Sequence, residues 1–281
     1  TINGISLGLG KRLKWPDDYF TIYHTLSLQN YILHNYKSLF TFSDGYSNNL
    51  NYGLVIARNS IDAPIYARSG SEISLSMQFT PPYSLFNKKD YDNISDQEKY
   101  KWLEYHKWKF KASWFFNLTG KWVLNTKARF GFVGYYNDKV GYPPFERFYL
   151  GGDGLSGYAL DGRELIAMRG YGNNTLTPRD GVNYTGGNVY DKFTVELRYP
   201  LSLNPNATIY GLAFIEGGNA WASFKQFNPY NMYKSTGVGV RIFLPMFGML
   251  GLDWGYGFDK VPGFSDAAGG QFHFSINQSI D

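Results

Sequence analysis

The chain has no cysteine, which excludes thiol chemistry and disulfide staples while permitting an oxidising compartment. It has no run of about 18 apolar residues, so no transmembrane helix is expected. Histidine is scarce. His24, His34, His106 and His273 show no metal-ligand spacing, and no helical H-E-x-x-H occurs. Neither a G-x-S-x-G elbow nor a Ser/His/Asp order stands out. The chain is therefore expected not to be an enzyme, and to carry no metal and no cofactor. The net charge is only +4, and Lys and Arg form no tract, so scattered loop and lumen charges fit better than a nucleic-acid surface. No signal peptide is visible at Thr1, where the chain starts inside a strand-like pattern; it reads as a mature or truncated segment.

What is abundant is aromatic. Phe, Trp and Tyr make up 19% of the chain, yet the mean hydropathy is −0.34. Those facts conflict for a soluble core and agree for a membrane β-barrel. There only alternate residues meet lipid, the lumen is polar, and aromatics girdle both interfaces.

Period-two alternation runs through the chain. Ile5, Leu7 and Leu9 alternate with Gly and Ser. Phe20, Ile22, Leu26 and Leu28 oppose Thr21, Thr25, Ser27 and Gln29. A third, less regular strand covers residues 49–58. Ile73, Leu75, Met77 and Phe79 oppose Ser74, Ser76 and Gln78. Trp108, Phe110, Ala112, Trp114 and Phe116 oppose Lys107, Lys109, Lys111 and Ser113. Three lysines on one strand face would be costly against a packed core, so this strand argues for a hydrated interior. The pattern continues over residues 122–132, 193–199, 209–217, 237–244, 250–258 and 271–278. About eleven strands result, near the 9–11 residues a tilted strand needs to cross a bilayer. Short turns (residues 117–120, 200–206, 245–248) alternate with long loops (34–47, 81–103, 135–188, 218–231, 259–269), as in outer-membrane barrels. A capping-box pattern at Ser95–Glu98 marks the one expected helix. An odd strand count leaves free edges and implies strands upstream of Thr1. The fold class is all-β, a transmembrane antiparallel β-barrel in part.

The longest loop holds the candidate site. Gly152-Asp153-Gly154-Leu155-Ser156-Gly157 matches G-x-G-x-x-G, but the strand and helix of a dinucleotide site do not flank it, so a loop turn is the better reading. Arg169 stands beside Gly170 and Tyr171 with no acid near it in sequence. Glu196 and Glu216 fall on consecutive strands at lumen positions. An Arg fork can bridge two such carboxylates, which would otherwise repel. The spacing alone equally allows a solvated Arg and two solvated acids.

At this point a resemblance enters. Phe145-x-x-Phe148-Tyr149-x-Gly151-Gly152, then Met168-Arg169-Gly170-Tyr171 and Asn174-Thr175-Leu176-x-Pro178, resembles the sixth-loop motif of the BamA family of outer-membrane protein assembly factors. Asp62 to Gly70 is similar to that family's periplasmic turn. Gly186-Gly187-Asn188 leading to Glu196, Phe214 to Trp221, Gly237 to Arg241 with Pro245, and Phe272 to Ile276 are similar to its later strands, in order.

The resemblance implies that residues 1–281 are strands six to sixteen of a sixteen-stranded barrel, with residues 135–188 as the lumen loop. It implies that Gly151 and Gly152 open the loop and that Arg169 pairs with Glu196 and Glu216. It departs from the family in an insert at residues 153–167, in an Arg-less decoy Leu155-Ser156-Gly157-Tyr158, and in a terminal Ser279-Ile280-Asp281 without an aromatic.

The implied function is insertion of barrel proteins into the outer membrane of a Gram-negative bacterium. The last strand, with Phe272, Phe274 and Ile276, would form one side of a lateral seam. Unpaired strand edges template β-augmentation, and short apolar strands there would thin the bilayer. Expected partners are nascent outer-membrane proteins, accessory assembly lipoproteins or other outer-membrane subunits, and the lipid bilayer with lipopolysaccharide, but no nucleic acid. Two alternatives stand: a two-partner secretion or Tam-type transporter, and a barrel anchoring a fused surface enzyme.

Overall fold

The structure, a computed structural model, describes residues 1–35, 42–87, 89–154, 163–181, 183–264 and 266–276. Its wall strands are β1 (Ile2–Arg12), β2 (Phe20–Leu33), β3 (Gly45–Asn59), β4 (Gly70–Phe79), β5 (His106–Asn117) and β6 (Val123–Gly134). Inside the long loop lie β7 (Phe148–Leu150), β8 (Glu164–Ile166), β9 (Arg179–Asp180) and β10 (Asn183–Tyr184). The wall resumes with β11 (Val189–Asn204), β12 (Ala207–Trp221), β13 (Tyr233–Leu244), β14 (Gly248–Gly257) and β15 (Gly269–Ile276).

The wall is one 11-stranded sheet in the order β1-β2-β3-β4-β5-β6-β11-β12-β13-β14-β15. Each neighbouring pair is antiparallel, as between β6 and β11. Among the described residues the sheet does not close on itself, and β1 and β15 stand at its two ends. Alternation sorts the side chains. Leu26, Leu28, Val195, Leu197, Ile215, Val238 and Leu252 stand exposed on the outer face, while Asn49, Asn125, Glu196, Glu216 and Asp253 are buried on the inner one. An apolar outer belt over a polar inner face is the pattern of a barrel in lipid. No described helix is long and apolar enough to cross a membrane.

Three details depart from the sequence reading. First, β11 does not end before Pro200. It runs on to Asn204, with a register shift between Pro200 and Ser202. β6 begins only at Val123, opposite Arg198, so the proline's missing N–H falls past the last rung on that side. The turn shrinks to Pro205-Asn206. Second, the loop between β4 and β5 holds two short helices. α2 (Asp96–Lys99) starts where the capping box puts it, the Glu98 N–H donating to Ser95 Oγ at 3.3 Å. α1 (Tyr83–Phe86) lacks a side-chain cap and so leaves no such mark in the sequence.

Third, the interior beside β5 is not left to water. The loop fills it. Phe148, Leu150, Ile166, Met168, Tyr171 and Leu176 pack with Val133, Tyr190 and Ala220 of the wall into one buried apolar cluster. Burying such side chains is worth about 1.5–3 kcal/mol each.

Candidate functional site: the loop inside the barrel

The loop holds its shape through its own backbone. β7 and β8 pair in parallel, Phe148 beside Glu164 and Leu150 beside Ile166. The chain then turns at Gly151 (φ 126°) and Gly152 (φ 77°), a region that favours glycine. The Gly152 carbonyl accepts the Met168 N–H at 2.9 Å. The opening Gly-Gly thus delivers the tetrad Met168–Tyr171 to the wall. Gly170 is also left-handed, with φ 84°.

Arg169 is fully buried, 0% exposed. Its Nη2 donates to Glu216 Oε1 at 2.6 Å and to Glu196 Oε1 at 3.0 Å. Its Nε donates to Glu216 Oε1 at 3.1 Å, and its backbone N–H reaches Glu216 Oε2 at 3.1 Å. Its Nη1 donates to Asp253 Oδ1 at 3.3 Å. The guanidinium carbon sits 3.5 Å from the centroid of the Phe214 ring. Burial alone works against the charge; Glu216, Glu196 and Asp253 outweigh it and raise the pKa of Arg169 above its ordinary value.

The carboxylates have further cations. Lys192 Nζ lies 3.1 Å from Glu216, Arg198 Nη2 2.6 Å and Lys127 Nζ 3.6 Å from Glu196, and Arg241 Nη2 2.9 Å from Asp253. Glu196 and Glu216 are diagonal rather than directly opposite neighbours: Glu196 faces Phe214 and Glu216 faces Thr194 across the β11–β12 ladder. The offset leaves the Phe214 ring between them as a floor for Arg169.

The rest of the tetrad docks on β13 to β15. The Gly170 N–H donates to His273 Nε2 on β15 at 2.9 Å. The Tyr171 hydroxyl donates to the Lys234 carbonyl at 2.6 Å. The backbone comes this close because β14 is glycine-lined on its inner face. A Cβ at Gly255 would lie 2.7 Å from the Gly170 nitrogen, and one at Gly257 would collide with the Gly170 carbonyl.

A second anchor holds the near end of the loop. Lys107 Nζ lies 2.9 Å from Glu146 and 2.9 Å from Glu164, and Lys109 Nζ 3.3 Å from Glu164. Glu146 takes φ 70°, unusual for a residue with a side chain. Burial works to raise the Glu164 carboxyl, but Lys107 and Lys109 prevail and bring its pKa down to about 2.

The residues singled out in the sequence thus fall into two places. Gly151, Gly152, Met168, Arg169, Gly170, Tyr171, Glu196 and Glu216 converge on one buried site. Phe272, Phe274 and Ile276 do not join it. They face outward on β15, with Phe272 77% exposed, while His273 between them turns in to the tetrad. The decoy at residues 155–158, part of the G-x-G-x-x-G run and positions 277–281 lie outside the described residues. Asp253, Lys192, Phe214, His273 and the β14 glycines are not singled out by sequence reasoning. Asp253 alternates with Gly251 and Gly255 at inner positions, and a charge among glycines on an inward face was the available signal.

No curated protein sequence matches the chain. Among solved structures, BamA from Haemophilus ducreyi lacking POTRA domains 1-3 superimposes with TM-score 0.67 at 17% identity, covering 97% of this chain and 53% of that one. CdiB from Escherichia coli superimposes with TM-score 0.56 at 16% identity, covering 98% of this chain and 45% of that one. The chain therefore spans about half the length of the structures it matches, and the likeness is one of fold. The Omp85 superfamily domain matches residues 2–280, so the chain belongs to the Omp85 superfamily.

Proposed function

We propose that this chain is the seam-bearing part of an insertase for outer-membrane β-barrel proteins. It acts without covalent chemistry: where the seam between β15 and the first strand of the full-length barrel opens, the edge of β15 offers unpaired N–H and C=O groups to the terminal strand of a nascent outer-membrane protein. Barrels of the Omp85 superfamily are outer-membrane proteins of Gram-negative bacteria, which supports that location. Accessory lipoproteins and lipopolysaccharide are the accompanying partners in this reading.

The observation that carries it is the reach of the tetrad. One short segment is bonded to β11, β12 and β14 through Arg169, and to β15 through the Gly170–His273 hydrogen bond. A brace that ends on the seam strand holds that strand in place while its other side pairs with a newcomer. The full-length protein in liposomes is expected to speed the folding of an added urea-unfolded outer-membrane protein over empty liposomes. Folding at the empty-liposome rate defeats the proposal.

The likeness to CdiB in fold favours a second reading, an exporter of the same superfamily. Its signature in the same liposomes is a soluble substrate carried across the membrane with no gain in barrel folding.

A further inference from the structure

The loop meets β15 at a group that can change its charge. The Gly170 N–H donates to His273 Nε2 at 2.9 Å, and His273 is buried. A backbone N–H can only donate, so Nε2 carries a lone pair and the proton of the neutral ring sits on Nδ1. The bond is therefore conditional on a neutral imidazole. A second proton goes to Nε2, turns the acceptor into a donor and sets two N–H groups against each other. A buried donor left without its acceptor then carries the full cost of its desolvation.

The other contacts of the tetrad carry no such condition. Arg169 keeps its charge across the range in which histidine titrates, and it holds β11, β12 and β14 through Glu196, Glu216 and Asp253. The Tyr171 hydroxyl donates to a backbone carbonyl of β13, and the Gly170 backbone rests on Gly255 and Gly257 of β14. Among the described residues, the Gly170–His273 bond is the tetrad's one hydrogen bond into β15. The bond from the Gly172 N–H to the Ala267 carbonyl, at 2.8 Å, falls before that strand begins. The charged groups that face the ring are Asp253 of β14, directly opposite it in the ladder, Glu216 of β12, and Asp153 and Arg169 of the loop. A charged imidazolium thus has carboxylates to turn to when it lets go of the Gly170 N–H.

We propose that His273 is a proton-operated latch between the loop and the last strand: a proton on Nε2 uncouples β15 from the tetrad while Arg169 stays docked on β11, β12 and β14. Acid thereby frees the seam strand without releasing the loop. As regulation of a seam this rests on the insertase reading above; the bond itself does not, and its test reads the bond and not insertion.

The test is hydrogen–deuterium exchange of the full-length protein in detergent, followed by mass spectrometry between about pH 8 and pH 5, the range in which histidine commonly titrates. Exchange is corrected for the intrinsic effect of pH. Protection of the peptide that contains Gly170 is expected to fall several-fold on acidification, while peptides of β11 and β12 keep theirs. His273→Gln places an amide oxygen where Nε2 stands and does not titrate. Its Gly170 peptide is expected to stay equally protected across the range. A flat profile in the wild type, the same fall in His273→Gln, or a parallel loss in β11 and β12 overturns the proposal. Should His273→Gln fail to fold, the wild type decides alone: a fall confined to the Gly170 peptide that follows a single protonation supports the latch, and any other profile overturns it. None of these outcomes depends on folding rates in liposomes, so the latch and the insertase reading fail separately.

Discussion

Removing Arg169 takes away the buried cation that Glu196, Glu216 and Asp253 share. Arg169→Ala is expected to destabilise the barrel by about 3–5 kcal/mol, the cost of breaking a buried ion pair from one side. The temperature at which the folded form loses its fast gel mobility reads this out, and wild-type heat resistance would contradict it. Lys at 169 offers a point charge instead of a fork and should restore only part. Gly255→Ala tests the close approach instead, because its new methyl must displace the Gly170 nitrogen 2.7 Å away. Overpacking of this kind costs about 1–3 kcal/mol, measurable by the same assay; an unchanged transition would show that the loop yields freely. Glu196 and Glu216 are legible in sequence because acids at inward positions of adjacent strands need a cation. Asp253 is harder to read: its strand neighbours on the inner face are glycines, whose meaning appears only when a second backbone lies on them.

At the scale of elements, the loop is held at two separate anchors. The tetrad fixes one end, and the Lys107–Glu146/Glu164 group fixes the other. The second anchor is pH-sensitive in a stated direction. Glu164 has a folded pKa near 2 against an ordinary 4.5, so its contribution is full above pH 4.5 and is lost as the pH falls toward 2. Protease protection of residues 146–154 and 163–166 is expected to fall across that window in the wild type. Glu164→Gln should show weaker protection at neutral pH and little further loss on acidification. An equal acid response in both would exclude Glu164 as the titrating group. Alternation reveals the existence of the wall strands but not always their ends. β11 passes through Pro200 because the partner on one side has already stopped. β7 to β10 are two or three residues long, too short for any period to show. The burial of Lys107 is invisible for another reason: the acids that neutralise it lie 39 and 57 residues away, in a segment that reads as loop.

At the largest scale, the eleven described wall strands form one sheet whose last strand, β15, is braced by the loop. Introduced cysteines tethering β15 to the first strand of the full-length barrel should block insertion, and they are easily interpreted because the chain has no native thiol. Insertion at the wild-type rate under complete crosslinking would rule out the gate. A last consequence follows from where the partners of Arg169 stand. Glu196, Glu216 and Asp253 lie 27, 47 and 84 residues further along the chain. The plug is thus synthesised before its socket, and the socket exists only once β11, β12 and β14 have found their register. Contacts of such long sequence separation form late. A wall with one strand out of register presents an incomplete set of carboxylates, so a docked Arg169 requires that β11, β12 and β14 stand in register.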